Sequence, residues 1–138
     1  MLHFSLFNRT PVILQTEAAE CGLACLAMIA SFHGYHINLN GLRAQHAASL
    51  RGSTLADLIQ IAEQLKLASR PLRLDLDQLA ELKLPCILHW NFNHFVVLTR
   101  VQRDRVVLHD PASGERELTL TEFSKHFTGI ALELTPTS

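Results

Sequence analysis

Cys21-Gly22-Leu23-Ala24-Cys25-Leu26-Ala27-Met28-Ile29-Ala30-Ser31-Phe32-His33-Gly34 is the stretch from which the rest of the chain can be read. Within it Cys21, Ala24, Cys25, Met28, Ile29 and Phe32 recur at helical spacing, which predicts a helix with one apolar face. Gly34 ends that helix, because glycine takes the left-handed backbone of a helix C-terminus without steric cost. The helix therefore opens on a cysteine. A thiol in a first turn feels the positive end of the helix dipole, which favours the thiolate, and the thiolate is the nucleophile. Gly22 places no side chain beside the sulfur, which leaves room for the extended backbone of a substrate. Cys25, one turn further along the stripe, reads as core.

Downstream, the first half of the chain continues mainly as helix. A second helix is expected from Leu39 to about Ala48, with Asn38 as its cap. A third opens at Thr54-Leu55-Ala56-Asp57, a capping-box pattern, and carries the stripe Leu55, Leu58, Ile59, Ala62 and Leu65. Arg70 to Leu74 reads as extended, because Pro71 disfavours helix before it. Asp75 caps a short helix through Leu82, and Pro85 bars its continuation.

The second half alternates. Strands are expected at Cys86–Trp90, His94–Arg100, Arg105–His109, Arg116–Leu120 and Ile130–Leu134. Turns fall at Asn91-Phe92-Asn93, Gln102-Arg103-Asp104 and Asp110-Pro111-Ala112-Ser113-Gly114. A short helix bearing Phe123 and Phe127 starts at Thr119. Helices over about 16–82 followed by an antiparallel sheet over about 84–135 is the α+β pattern.

The composition agrees with one such domain spanning 1–138. Of its 138 residues 48% are hydrophobic and 18% charged, which suits a packed core. The formal charge of −1 shows no basic excess, so no nucleic-acid partner is expected. The longest apolar run, Leu23 to Ala30, is short of the ~20 residues that cross a bilayer. The first residues lack the pattern of a secretory signal, so a reducing compartment and free thiols are expected. The count of three cysteines also forbids complete pairing within the chain. Cys86, inside an apolar strand, reads as core.

His94 starts a strand after a polar turn, and Asp110 ends the next. A tight turn near Arg103 makes the two strands antiparallel, which brings His94 toward Asp110. A base and a carboxylate to orient it complete the logic of a triad with Cys21. Gln15, six positions before Cys21, offers an amide to a developing oxyanion beside the Cys21 backbone N–H. The order Gln, Cys, His, Asp, with the nucleophile on a helix and its partners on a sheet, is that of papain-like cysteine peptidases. A metal centre is the rival chemistry. His89, His94 and His109 could gather near one sheet end, but no H-E-x-x-H or paired C-x-x-C is present, so no metal is expected. His3, His33, His36, His46 and His126 are expected at the surface.

Gln15-Thr16-Glu17-Ala18-Ala19-Glu20-Cys21-Gly22-Leu23-Ala24-Cys25-Leu26-Ala27-Met28-Ile29 resembles the opening motif of the bacteriocin-processing peptidase domain. That domain forms the N-terminus of certain bacterial ABC transporters, the colicin V exporter type among them. His94-Phe95-Val96-Val97-Leu98 and Asp110-Pro111 match its histidine and aspartate motifs, and the likeness runs from about Pro11 to Leu134. The resemblance implies cleavage of a leader peptide after a Gly-Gly (or Gly-Ala) pair, coupled to export. It implies Cys21 as nucleophile, His94 as general base and acid, Asp110 as the orienting residue and Gln15 as oxyanion donor. It implies no cofactor in this domain, with ATP acting elsewhere in a full-length transporter. The partners implied are a precursor's leader peptide and the transporter's transmembrane and ATP-binding domains, on the cytoplasmic side of the inner membrane. This chain alone is then a soluble unit, either excised from such a protein or a stand-alone relative. The alternative is a docking module that binds leader or cargo without cutting, as in degenerate versions that lack the cysteine; the intact Cys21 argues against it.

Overall fold

The computed structural model describes residues 9–46 and 53–137. The expected end of the second helix at Ala48, and His3, lie outside them. Helix α1 spans Cys21–Phe32. It ends in a Schellman turn, with Gly34 N–H donating to Ser31 O at 3.0 Å and Tyr35 N–H to Ala30 O at 2.8 Å. Gly34 there has φ +91°. The expected single apolar face is corrected: every residue from Cys21 to Ala30 is buried. Leu23, Leu26, Ala27 and Ala30 make the opposite side apolar too, and a helix apolar all round belongs in an interior. It packs against strands of the sheet and against the helices Leu39–Gln45 and Leu55–Gln64.

Helix α2 (Leu39–Gln45) is capped by Asn38, whose side chain accepts the Gly41 N–H at 2.8 Å. Helix α3 (Leu55–Gln64) carries the expected capping box, Asp57 N–H to Thr54 at 3.1 Å and Thr54 N–H to Asp57 at 2.9 Å. Its core contact is made by Leu58, Ile61 and Ala62, with Leu55, Ile59 and Leu65 half-buried beside them.

Strand β1 (Leu67–Arg73) starts before the expected Arg70 and belongs to the sheet, so the sheet is not confined to the second half of the chain. Pro71 is accommodated because β1 is an edge strand. A 3-10 turn at Leu76–Glu81 follows, its start tied by Asp75 N–H to Gln78 at 2.8 Å. Then come β2 (Cys86–Trp90), β3 (His94–Val101), β4 (Arg105–Asp110), β5 (Gly114–Thr119), helix α4 (Leu120–Ser124) and β6 (Phe127–Pro136). Phe127 therefore sits in a strand and not in the short helix, which stops at Ser124.

The sheet order is β1-β6-β2-β3-β4-β5, and each neighbouring pair is antiparallel. Alternate residues feed two cores. Ile87, Phe95, Val97, Leu132 and Leu134 face α1, while Cys86, Leu88, Trp90, Val96, Leu98 and Ala131 pack with Leu79, Leu108 and Phe123 on the other side. Each fully buried Leu or Phe of this kind contributes ~1.5–3 kcal/mol. Because β3 and β4 run oppositely, the first residue of β3 and the last of β4 lie at one end of the sheet. The N-terminus of α1, which packs on β3, arrives at the same end. Among the described residues no helix is long and apolar enough to cross a membrane.

Candidate active site

Cys21 is the first residue of α1 and is 6% exposed. His94, first in β3, points one ring nitrogen at Asp110, the last residue of β4: Nε2 lies 2.7 Å from Oδ1. Cys21 lies close enough to His94 for its thiol to act on the imidazole through hydrogen bonding and charge. With Nε2 committed to the carboxylate, Nδ1 is the nitrogen left for the sulfur. The three residues that the sequence singled out are thus in one continuous line.

The electrostatics follow from that line. Burial works against a charged His94, but the hydrogen bonds to Asp110 and Cys21 and their charges outweigh it and raise the imidazole to about 9. Burial likewise opposes a charged Asp110, yet its bonds from His94 and the Ala112 N–H, with Arg116 nearby, hold the carboxyl below its usual range. Asp110 Oδ1 accepts the Ala112 N–H at 2.9 Å, and Arg116 stands 3.8 Å from Oδ2. The β4–β5 turn therefore fixes the carboxylate that fixes the imidazole.

Gln15 reaches the site through its backbone. Its N–H donates to Pro111 O at 2.9 Å, one residue beyond Asp110. Its side-chain Oε1 is buried and has no hydrogen-bond partner among the described residues. The other two cysteines stand apart from the chemistry as expected. Cys25 and Cys86 are completely buried. Burial pushes both thiols up, with Cys21 adding to the effect at Cys25 and Glu133 at Cys86.

A cavity of about 410 Å³ opens beside the sulfur, lined by Ala18, Cys21, Thr54, His89, Phe92 and Phe95 among others. Phe92 stands at its rim, 82% exposed, with φ +66°. The turn beneath it is pinned by Asn91 N–H to His126 O at 2.8 Å and by the His126 ring to Asn91 Oδ1 at 2.9 Å.

Two expectations and one alternative weighed beside them need correction. Gly22 does not open space for substrate. A Cβ there would meet Leu58 Cδ2 at 2.8 Å, so the missing side chain serves close packing of α1 on α3. The histidines do not gather: His89 bonds Thr128, His94 bonds Asp110, and His109 bonds Pro11 O and Glu115. Among the described residues no three His, Cys, Asp or Glu side chains are placed to hold a metal. Finally, His33, His46 and His126 are half-buried, and His126 stacks on Trp90 at 5.2 Å.

Sequence reasoning passed over Glu20. It is 2% exposed and its carboxylate is engaged by Arg43 and by Thr16 and Glu17. The bonds from Arg43 overcome its burial and hold it down at about 2. An acidic residue directly before a helix that is apolar on every side was the signal available.

A model of the Peptidase C39 family matches residues 9–138. The chain is 58% identical over 131 residues to the colicin V secretion/processing ATP-binding protein CvaB, and equally to the probable microcin secretion/processing ATP-binding protein MchF, both of Escherichia coli. Each alignment covers 95% of this chain and 19% of the relative, so the chain spans about a fifth of their length. Among solved structures, a double glycine motif protease from an AMS/PCAT transporter, in complex with the leader peptide, superposes with a TM-score of 0.88. It is 37% identical and the match covers 94% of both chains.

Proposed function

The chain belongs to the Peptidase C39 family and is a cysteine peptidase domain, and from that premise we propose that it removes the leader of a bacteriocin-like precursor by cutting after a Gly-Gly (or Gly-Ala) pair, as the peptidase part of an exporter. The observation that carries this reading is the line from Cys21 through His94 to Asp110.

The Cys21 thiolate attacks the carbonyl carbon of the second glycine. The carbonyl π electrons move to oxygen, and the oxyanion is held by the Cys21 N–H and the Gln15 amide. His94, protonated at the start, gives its Nδ1 proton to the leaving amine as the C–N bond breaks, which leaves the leader as a thioester on Cys21. Neutral His94 then takes a proton from water. The hydroxide adds to the thioester, the C–S bond breaks with its electrons staying on sulfur, and the leader leaves as a carboxylic acid that loses its proton to solvent, with thiolate and imidazolium restored. Asp110 keeps Nε2 protonated and offsets the imidazolium charge throughout. The partners that go with this reading are the leader peptide and the membrane and ATP-binding domains of a transporter, which place the domain at the cytoplasmic face of the inner membrane. The domain itself needs no cofactor for these steps.

Incubation with a double-glycine precursor followed by mass spectrometry tests it. The expected products are the leader, with a free carboxylate on its second glycine, and the released peptide. Cleavage by Cys21→Ala, or binding without cleavage by the parent protein, would reject it, and the second outcome would favour a docking module.

A further inference from the structure

Glu20 is a nearly fully buried acid that the catalytic steps above do not use. Burying a carboxylate costs several kcal/mol unless it is paired and hydrogen-bonded, and this one is surrounded by donors. Its Oε1 accepts Thr16 N–H at 3.1 Å, Thr16 O–H at 2.7 Å, Glu17 N–H at 3.2 Å and Arg43 Nη2 at 2.9 Å. Its Oε2 accepts Arg43 Nε. Arg43 in turn donates to Thr16 Oγ1 at 2.8 Å and to Asn40 at 2.6 Å.

The placement matters more than the count. Thr16 directly follows Gln15, and Glu20 directly precedes Cys21. One carboxylate thus ties the residue after one oxyanion donor to the residue before the other, and Arg43 bolts both to α2. A plain helix cap would need no guanidinium from another helix and no buried charge. Oxyanion donors act within a window of about 2.7–3.1 Å, so a small shift between them is felt in the rate.

We propose that Glu20 and Arg43 are positioning residues that set the spacing between the Gln15 amide and the Cys21 N–H. This rests on the peptidase reading and deepens it. Neither residue touches substrate. Their loss loosens the segment that carries Gln15 and leaves the Cys21–His94–Asp110 line intact.

The test uses steady-state cleavage of a double-glycine precursor peptide by Glu20→Gln, Arg43→Met, Gln15→Ala and the Glu20→Gln/Gln15→Ala pair. Alongside it run the rate of Cys21 alkylation by iodoacetamide and the urea midpoint. Alkylation displaces iodide at a tetrahedral carbon and develops no oxyanion, so it reads the thiolate alone. The expected result is a kcat about 10- to 100-fold lower in Glu20→Gln and Arg43→Met, with KM and alkylation rate within about twofold of the parent. In the Gln15→Ala background Glu20→Gln then costs no more than about threefold further. An unchanged kcat with a lowered urea midpoint would overturn the proposal in favour of a purely structural clamp. An alkylation rate that falls as far as kcat would overturn it too, because the pair would then act on the sulfur. If Glu20→Gln does not fold, Arg43→Met decides by the same criteria, since its side chain is 37% exposed. Failure of the underlying reading looks different: the parent protein does not cleave.

Discussion

His94 Nε2 lies 2.7 Å from Asp110 Oδ1, and the same oxygen accepts the Ala112 N–H, so the carboxylate is oriented before it orients the ring. The pair sets a pH window. His94 is raised from 6.5 to about 9, so the stability it contributes is complete below 6.5 and lost as pH rises through about 9. Asp110 is lowered from 3.8, so its contribution is present above that value and lost as pH falls through its folded pKa. Urea midpoints of the parent protein should decline from pH 6.5 to about 9, and those of His94→Ala should stay flat across that interval. The alkaline limb of kcat/KM should lie near pH 9 and shift toward 6.5 in Asp110→Asn. A limb that stays in place would separate Asp110 from the charge on His94.

The three thiols should differ sharply in reactivity. Cys21 faces the cavity, whereas Cys25 and Cys86 are completely buried and held up by burial. Native protein treated briefly with iodoacetamide should gain one adduct, at Cys21. Cys21→Ala should gain none, and unfolded protein should gain one at each cysteine. Peptide mapping by mass spectrometry reads the outcome, and early labelling of Cys25 would mean that α1 opens readily.

Gly22→Ala should destabilise the fold although alanine is the better helix former. Alanine gains ~0.5–1 kcal/mol in a helix interior. Its Cβ, however, would lie 2.8 Å from Leu58 Cδ2 in a packed core, and overpacking of that kind costs ~1–3 kcal/mol. The net expectation is a loss of about 1 kcal/mol by urea titration, recovered in part by Leu58→Val beside it. Equal or greater stability of Gly22→Ala alone would show that α3 shifts freely.

Phe92 holds a left-handed backbone that a bulky side chain adopts at a cost of ~1–2 kcal/mol. Phe92→Asn should therefore stabilise the protein by up to about 1 kcal/mol, because asparagine tolerates this region. The ring also borders the cavity at Cys21, so the same variant should raise KM for a precursor several-fold. Gained stability with unchanged KM would leave the aromatic tip without a part in substrate binding.

What could be read from sequence was local or carried by neighbouring strands. Asn38 and Thr54 cap as expected because capping depends on three or four consecutive residues. His94 meets Asp110 because a tight turn joins their strands. What could not be read depended on distant pairing. Nothing local says that β6 inserts between β1 and β2, so the membership of Leu67–Arg73 in the sheet was hidden. Gly22 looked open because the residue that fills the space, Leu58, belongs to another helix. Glu20 carries no local mark of burial, because its partner Arg43 comes from α2.

The strand order also bears on when the parts of the sheet are joined. β6 follows the other five strands of this sheet in the chain, yet it is the one that joins β1 to β2. A chain emerging from the ribosome presents Cys21 early, while His94 and Asp110 come from a sheet that stays unattached to the first strand until β6 is laid down. The sheet is thus completed only when a strand made after its neighbours inserts between them.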